Sequence, residues 1–459
     1  MSSHDHADLV RRFDRPGPRY TSYPTAVHFN DGFGPAQYEQ ALRRADEVTD
    51  PWSVYVHLPF CAARCLFCAC TTVISPDAGK VVGYLDELSA EIDRVAALLP
   101  RRRDTAQLHL GGGTPTYFEP RLMAALLDHL LERFPLTPDA EFSVEVDPRV
   151  TTPEHIEAFA ARGMNRISLG VQDTNPQVQR AVRRIQPLGR VISCVNHARR
   201  AGTRSVNVDL IYGLPHQTAR GFGQTVTEVV EHLRPDRLAV YGFAYVPWLK
   251  GHQRRLPADA LPGPDERLDL ANEAREVLTQ AGYVDIGMDH YALPGDELAV
   301  AQREGRLHRN FMGYTTQPSA DMLGLGLSAI GYVGDAFVQN ARKLSDWRDL
   351  IAGGGLAAER GIRLNDDDLL RSRVIQELMC NFRVDKRAVE SEFGIAPFDT
   401  VFSDARAALR EAEDAGLIVW DEDSVRATEV GKLFVRNLAM PFDRYLRAEK
   451  ETQRYSQTV

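Results

Sequence analysis

From residue 53 onward, short β-rich runs alternate with helical patterns, and that succession restricts the fold more than any other property of the chain. The strand candidates are SVYVHL (53–58), AQLHL (106–110), EFSVEV (141–146), RISLGV (166–171), SVNVDLIY (205–212) and RLAVYGFA (237–244). Between the first two, Val81, Tyr84, Leu85, Leu88, Ile92, Val95 and Leu99 fall on the helical spacing. A further helix is expected in TPEHIEAFAARG, with Thr152 as N-cap, Pro153 as the first helical residue and Gly163 as the stop. Strand, helix, strand in steady order implies a parallel sheet covered by helices. Six such units without a clear seventh or eighth predict an α/β fold, an incomplete (β/α)6 barrel, because a closed barrel needs eight.

The expected organisation is an N-terminal arm (1–48), the barrel core (49–290), an extension of Gly-rich loops (291–360) and a mainly helical C-terminal domain (361–459). In the last, DDDLLRSRVIQELMCNF and FDTVFSDARAALREAEDAG read as helices and LIVWDEDSVRATEVGKLFVRNL as a hairpin followed by a helix, a winged-helix-like pattern. The acidic ALREAEDAG favours packing over nucleic-acid binding. Unusual residues cluster just after the strands: cysteines after the first, GGGTPT after the second, Glu145 to Pro148 at the third, GVQD after the fourth and DLIYGLP at the fifth. Parallel α/β barrels build their active sites at those C-terminal strand ends.

The cysteines carry the chemistry. Four of the six lie in CAARCLFCAC, at Cys61, Cys65, Cys68 and Cys70, while Cys194 and Cys380 stand singly in apolar helical contexts and are expected in the core. No apolar run follows the N-terminal charges and no stretch of 18 apolar residues occurs, so neither a signal peptide nor a membrane span is expected. The expected compartment is the cytoplasm, where clustered thiols serve as metal ligands or catalysts rather than disulfides. A net charge of −9 argues against a nucleic-acid partner but leaves room for a local basic surface. Cys-x3-Cys-x2-Cys suits three irons of a cubane cluster with the fourth iron open. A zinc site, which would want a second Cys pair, and neighbouring surface thiols are the alternatives.

CAARCLFCAC resembles the signature of the radical S-adenosylmethionine (SAM) superfamily, and Phe67 before the third cysteine fits it. More extensively, the chain resembles the oxygen-independent coproporphyrinogen III oxidases of bacterial haem synthesis. The matching stretches include GPRYTSYPTA (17–26), YVHLPFC (55–61), GGGTPTY (111–117), VEVDPR (144–149), GVQD (170–173), VDLIYGLP (208–215), GMDH (287–290), DELAVAQREG (296–305), LHRNF (307–311), GYTTQ (313–317), CNF (380–382) and the C-terminal RYLR.

The resemblance implies that Cys61, Cys65 and Cys68 hold a 4Fe–4S cluster, with Cys70 beside it as a non-ligating catalytic cysteine. It places Tyr55, Phe67, Gly112, Gly113, Thr114 and Glu145 around a cluster-bound SAM and Gln172, Arg184 and Asp209 around a second SAM, with Ala244 and Ile330 completing the SAM contacts through backbone and apolar surface. Tyr55, Glu145, Cys70 and Phe311 are the implied catalytic residues. On the residues alone, Tyr55 reads as an ordinary strand residue, Glu145 as a half-exposed strand residue, Arg184 as part of a solvated helix face and Cys70 as a buried small residue. The implied reaction converts two propionates of coproporphyrinogen III to vinyl groups with loss of two carbon dioxides, giving protoporphyrinogen IX. Two SAM per turnover, an electron donor such as flavodoxin, an unidentified electron acceptor and a monomeric state are implied with it. Arg19, His308 and Arg309 are candidate clamps for the substrate carboxylates. A haem chaperone or a haem-modifying radical SAM enzyme is the alternative. One position departs from the family: Met312 stands where a glutamine is common, and it brings no amide for hydrogen bonding.

Overall fold

Six parallel strands form in chain order: β1 (Trp52–Leu58), β2 (Thr105–Gly112), β3 (Leu136–Val146), β4 (Arg166–Gln172), β5 (Ser205–Tyr212) and β6 (Arg237–Gly242). They lie side by side in that order within one sheet of 12 strands. The computed structural model describes residues 3–316, 321–395, 397–448, 455 and 458, with side chains placed for 8–446 within those spans and at 455 and 458. Gln317, the end of the GYTTQ stretch, lies outside the described residues.

Alternation along each strand divides the side chains between two faces. On β4, Ile167, Leu169 and Val171 are buried, while Arg166, Ser168, Gly170 and Gln172 are half-buried on the opposite face. The apolar face packs on helices such as Ala78–Leu98, which the expected stripe Val81 to Leu99 matches to within a residue. Pro153–Ala160 is the expected helix behind Thr152, and Gly163 takes the positive φ of a stop, +95°. The other face carries the polar row of the barrel interior. In register, Tyr55 stands opposite His109, His109 opposite Ser143 and Glu145 opposite Ser168.

The barrel stays open, and both edges are extended. Beyond β1 comes Met322–Leu325, parallel to it, then Ile330–Val333, Ala336–Asn340 and Ala358–Arg363 in antiparallel order. Beyond β6 come His290–Ala292 and Val284–Gly287, also antiparallel. The segment expected to be Gly-rich loops therefore carries short strands, together with the helices Glu297–Arg303 and Leu344–Ala352. Its glycines serve close packing of backbone: a Cβ on Gly324 would lie 2.6 Å from the Ile330 carbonyl oxygen. Strands His290–Ala292 and Ala358–Arg363 run across residues 290 and 360.

The C-terminal region has the helix Asp366–Asn381 and a hairpin of Ile418–Trp420 with Ser424–Ala427, joined by a third strand, Arg383–Asp385. The second expected helix is broken into Phe398–Val401, Ser403–Ala408 and Arg410–Asp414. The first part of the N-terminal arm belongs to this core, where Leu9, Phe13, Tyr20 and Tyr23 pack with Leu378, Phe434, Leu438 and Phe442, whereas Phe33, Tyr38 and Leu42 pack in the barrel core. The Phe13 and Phe434 rings meet edge to face at 5.9 Å. Asn437 Nδ2 donates to the Phe13 carbonyl at 2.6 Å and Arg436 Nε to the Pro18 carbonyl at 3.0 Å. Cys194 and Cys380 are buried, as expected. No helix among the described residues is long and apolar enough to cross a membrane.

Candidate active site

The loop after β1 carries the four clustered cysteines, and backbone bonds pin its two ends. Gly113 N donates to the Leu58 carbonyl at 2.9 Å, Thr114 N to the Phe60 carbonyl at 2.9 Å and Val73 N to the Pro59 carbonyl at 2.8 Å. This contact explains the glycines: a Cβ on Gly113 would sit 2.5 Å from the Pro59 carbonyl oxygen, and Gly112 holds φ +108°. Leu66 N donates to the Val182 carbonyl at 3.0 Å, tying the loop to the segment after helix Pro176–Ala181. On the other flank His252 reaches the Cys68 carbonyl at 2.8 Å, and Gln253 Nε2 donates to the Phe67 and Ala244 carbonyls, each at 3.1 Å.

Cys65 is buried beneath two guanidinium groups, with Arg149 Nη2 at 3.5 Å and Arg184 Nη1 at 3.6 Å from its sulfur. Asp147 fixes both cations, Arg149 at 2.6 Å and Arg184 at 3.0 Å. Cys61 meets Thr114 Oγ1 at 3.3 Å, and burial pushes its thiol up to about 11. A hydrogen bond from Cys70 draws the Cys68 thiol down to about 6. Cys70 itself is exposed, which corrects the reading of it as a buried small residue.

Arg184 likewise departs from the solvated helix face. It lies past the end of helix Pro176–Ala181, where Arg183 turns the chain at φ +57°, and it is buried. Its fork also donates to the Gly170 carbonyl, from Nη2 at 2.6 Å and Nε at 3.2 Å.

Across the interior, a polar row joins the first three strands. Tyr55 Oη lies 3.0 Å from His57 Nδ1, and His57 Nε2 lies 3.0 Å from the Thr71 carbonyl. The carbonyl can only accept, so Nε2 carries the proton and Tyr55 donates to Nδ1. Burial holds His57 below its ordinary pKa. The Tyr55 ring stacks on His109 at 5.8 Å and 17°. His109 in turn reaches Glu145 Oε1 at 3.3 Å and Ser143 Oγ at 2.5 Å. Burial opposes the Glu145 charge, yet His109 and the Gly112 N–H, 3.1 Å from Oε2, hold the carboxyl below its usual range. Further round, Asp209 accepts from Asn207 at 2.9 Å and Ser168 at 3.2 Å, and burial, then the nearby Glu145 charge, pushes it up to about 6.

Two cavities open along this row. One, of about 190 Å³, is lined by Tyr55, His57, Thr71, Phe311, Met312 and Ile330 among others. The second, of about 150 Å³, is lined by His109, Glu145, Asp209, Tyr241 and Met312 among others. Met312 thus stands between them, at the turn of the hairpin His308–Asn310 and Gly313–Thr315. Phe311 packs edge to face on Phe337 at 5.9 Å. Of the clamp candidates, Arg309 is buried and donates to the Arg19 carbonyl at 2.6 Å, while Arg19 pairs with Asp289 at 2.6 Å. His308 is exposed and stands apart from this pairing in its contacts. His57, His109 and Arg149 were not singled out in the sequence, and Asp147 only as part of the Glu145 to Pro148 cluster. Strand alternation from Tyr55 and the register opposite it carry the signal for the two histidines.

Three features fit a cluster with SAM. Three thiols occupy one loop, and the central one lies under cations. Gln172 Oε1, at the end of β4 with φ +68°, is buried without a hydrogen-bond partner among the described residues. No three His, Cys, Asp or Glu side chains among the described residues are grouped to hold a single metal ion, whereas a cubane takes one thiolate on each of separate irons.

Comparison with known proteins bears on the same residues. The Radical SAM superfamily matches residues 55–229, and the HemN C-terminal domain matches 364–434. The chain is 44% identical over 451 residues to the oxygen-independent coproporphyrinogen III oxidase of Escherichia coli (strain K12), covering 98% of each chain. It is 44% identical over 455 residues to that of Pseudomonas aeruginosa, covering 99% of this chain and 98% of the relative. A solved structure of coproporphyrinogen III oxidase (HemN) from Escherichia coli, described as a radical SAM enzyme, superposes with a TM-score of 0.91 at 43% identity, covering 96% of this chain and 98% of that one. A 4Fe–4S cluster and SAM come with membership of that superfamily. The chain belongs to the oxygen-independent coproporphyrinogen III oxidases, a family of radical SAM oxidoreductases.

Proposed function

We propose that this protein converts two propionate side chains of coproporphyrinogen III to vinyl groups without oxygen, giving protoporphyrinogen IX. The observation that supports this best is the placement of the cysteine loop against the Tyr55–His109–Glu145 row, in a chain that aligns with the family nearly end to end. When bound, the cluster and SAM supply a 5′-deoxyadenosyl radical that removes a hydrogen from the propionate β-carbon.

The protein's own groups bind, orient and exclude. Cys61, Cys65 and Cys68 would hold three irons, and Arg149 with Arg184 would fix the Cys65 sulfur through their N–H donors. Gly112, Gly113 and Thr114 let the backbone approach the first SAM, and Glu145, charged at neutral pH, answers its ammonium. Phe67 and Tyr55 give that site apolar walls. Gln172 Oε1 offers an acceptor to a second SAM, with Arg184 and Asp209 around it, and Ala244 and Ile330 complete the SAM contacts. Phe311 covers the cavity, and Cys70 stays outside the ligand set. Arg19 and Arg309, which touch, are the better pair for a substrate carboxylate. The reading includes two SAM per product, a separate electron acceptor, a monomer and a cytoplasmic location.

The test is anaerobic incubation of reduced, cluster-loaded protein, freed of excess reductant, with SAM, coproporphyrinogen III and a one-electron acceptor, with chromatographic detection of monovinyl and divinyl products. Haem is the parallel substrate. Vinyl formation supports the reading; haem binding or modification with no vinyl product overturns it in favour of a chaperone or haem-modifying role.

A further inference from the structure

Three segments of the chain meet at the cysteine loop, and none contains an acidic residue: 51–76, 174–208 and 237–258. This occurs in a protein with 63 Asp and Glu and a net charge of −9. Within these segments Arg64, Arg180, Arg183, Arg254 and Arg255 are exposed, and Lys250 is half-exposed. None forms an ion pair with a carboxylate among the described residues. Elsewhere arginines are commonly paired, as Arg162 is with Asp128 and Arg348 with Glu87.

Large apolar side chains stand among these cations. Ile185 is 64%, Trp248 51% and Leu249 68% exposed. Ile185 directly follows Arg184, which touches Cys65, and Trp248 and Leu249 precede Lys250, whose Nζ lies 3.5 Å from the Cys70 carbonyl. Leu66, Val182, Phe243 and Leu256 form one small core that welds the three segments together. The exposed side chains point away from the interior: none lines the two barrel cavities. A surface of this kind does not fit the substrate, which must reach the Tyr55–Glu145 row.

We propose that this face, Trp248, Leu249 and Ile185 ringed by Arg64, Arg180, Arg183, Arg254 and Arg255, docks a small acidic protein that delivers single electrons to the cluster. The proposal rests on the function given above, because a cluster that cleaves SAM must be reduced. One electron leaves the donor's reduced flavin or iron centre and enters the cluster; a flavin's proton passes to water, and no other bond changes. Unpaired cations steer an acidic partner and make the encounter salt-dependent. A tryptophan beside aliphatic residues supplies the contact that holds it. The side-chain hydrogen bonds of His252 to the Cys68 carbonyl and of Gln253 to the Phe67 carbonyl place the docked partner directly over the cluster loop.

The experiment uses full-length, cluster-loaded protein with flavodoxin as the acidic probe. Variants are Arg254→Glu/Arg255→Glu and Trp248→Ala/Leu249→Ala, all on exposed side chains. Binding is measured by biolayer interferometry at low and high salt. SAM cleavage is followed with reduced flavodoxin and, separately, with dithionite. The charge variant should weaken binding by about tenfold or more and flatten its salt dependence. The apolar variant should weaken it by about tenfold while keeping that dependence. Both should cleave SAM normally with dithionite. Unchanged flavodoxin affinity in both variants overturns the docking site, as does a nucleic acid binding this face in flavodoxin's place. Absence of vinyl products from wild-type protein reduced with dithionite, freed of excess reductant and supplied with a one-electron acceptor would overturn the function instead, so the two failures are separable.

Discussion

Replacing Arg184 by methionine distinguishes a buried structural cation from a solvated helix residue. A surface substitution away from special features stays within about ±0.5 kcal/mol. Here the guanidinium is buried and makes three kinds of contact: to Asp147 at 3.0 Å, to the Gly170 carbonyl at 2.6 and 3.2 Å, and to the Cys65 sulfur at 3.6 Å. Breaking a buried pair by removing one partner costs about 3–5 kcal/mol when the remaining charge is left alone. Asp147 keeps Arg149, and the Gly170 carbonyl keeps Gln186 Nε2 at 3.4 Å, so the lower end, about 3 kcal/mol, is expected. Urea unfolding of the cluster-free chain, followed by far-ultraviolet circular dichroism, measures it directly. The pH dependence has a definite sign. Burial opposes the Asp147 charge, but Arg149 and Arg184 hold its carboxyl below the ordinary value. The stability it contributes is therefore present above the unfolded carboxyl pKa and lost as pH falls through the folded one. Arg184→Met should weaken that acid-range dependence as well as lower stability at neutral pH. A change under about 0.5 kcal/mol, with the acid limb unaltered, would refute the buried-network reasoning.

Cys61→Ala, Cys65→Ala and Cys68→Ala should each lose iron–sulfur absorbance, while Cys70→Ser should retain it; iron and sulfide analysis after reconstitution decides between ligand and neighbour. Met312→Gln restores an amide between the two cavities and should change SAM affinity by about 0.5–1.5 kcal/mol, the worth of one net hydrogen bond, as read by calorimetry. Two propionates each lose a hydrogen, so about two 5′-deoxyadenosines should accumulate per divinyl product, with a monovinyl intermediate first. A ratio of one with full conversion would sink the two-SAM account.

The barrel was legible because periodicity is a local property: each strand's inward residues recur every second position and each helix stripe every third or fourth. That is why β1 to β6 were found within a few residues at either end. The edge strands were not, since Met322–Leu325 and Ile330–Val333 are strands by virtue of their neighbours, and glycine in sequence signals a turn before it signals close strand contact. The cysteine spacing identified the loop. Arg184 was placed only through the family likeness, because AVRRIQ has nothing local to say that one arginine is exposed and the next buried. His57 and His109 have common structural roles in isolation; only the register that sets Tyr55 against His109 makes them a row.

The arm that shares a core with the C-terminal domain has a consequence for how the protein comes into being. Phe13 and Asn437, joined by a hydrogen bond, are 424 positions apart. At about 5–20 residues per second, a ribosome needs roughly 20–85 s to add the second after the first. During that time Leu9, Phe13, Tyr20 and Tyr23 have emerged without the apolar surface they will later bury. β1 to β6 can assemble as they appear, each against its predecessor, but the arm must wait, and its aromatic residues are ready substrates for chaperones or for association with the arms of neighbouring nascent chains.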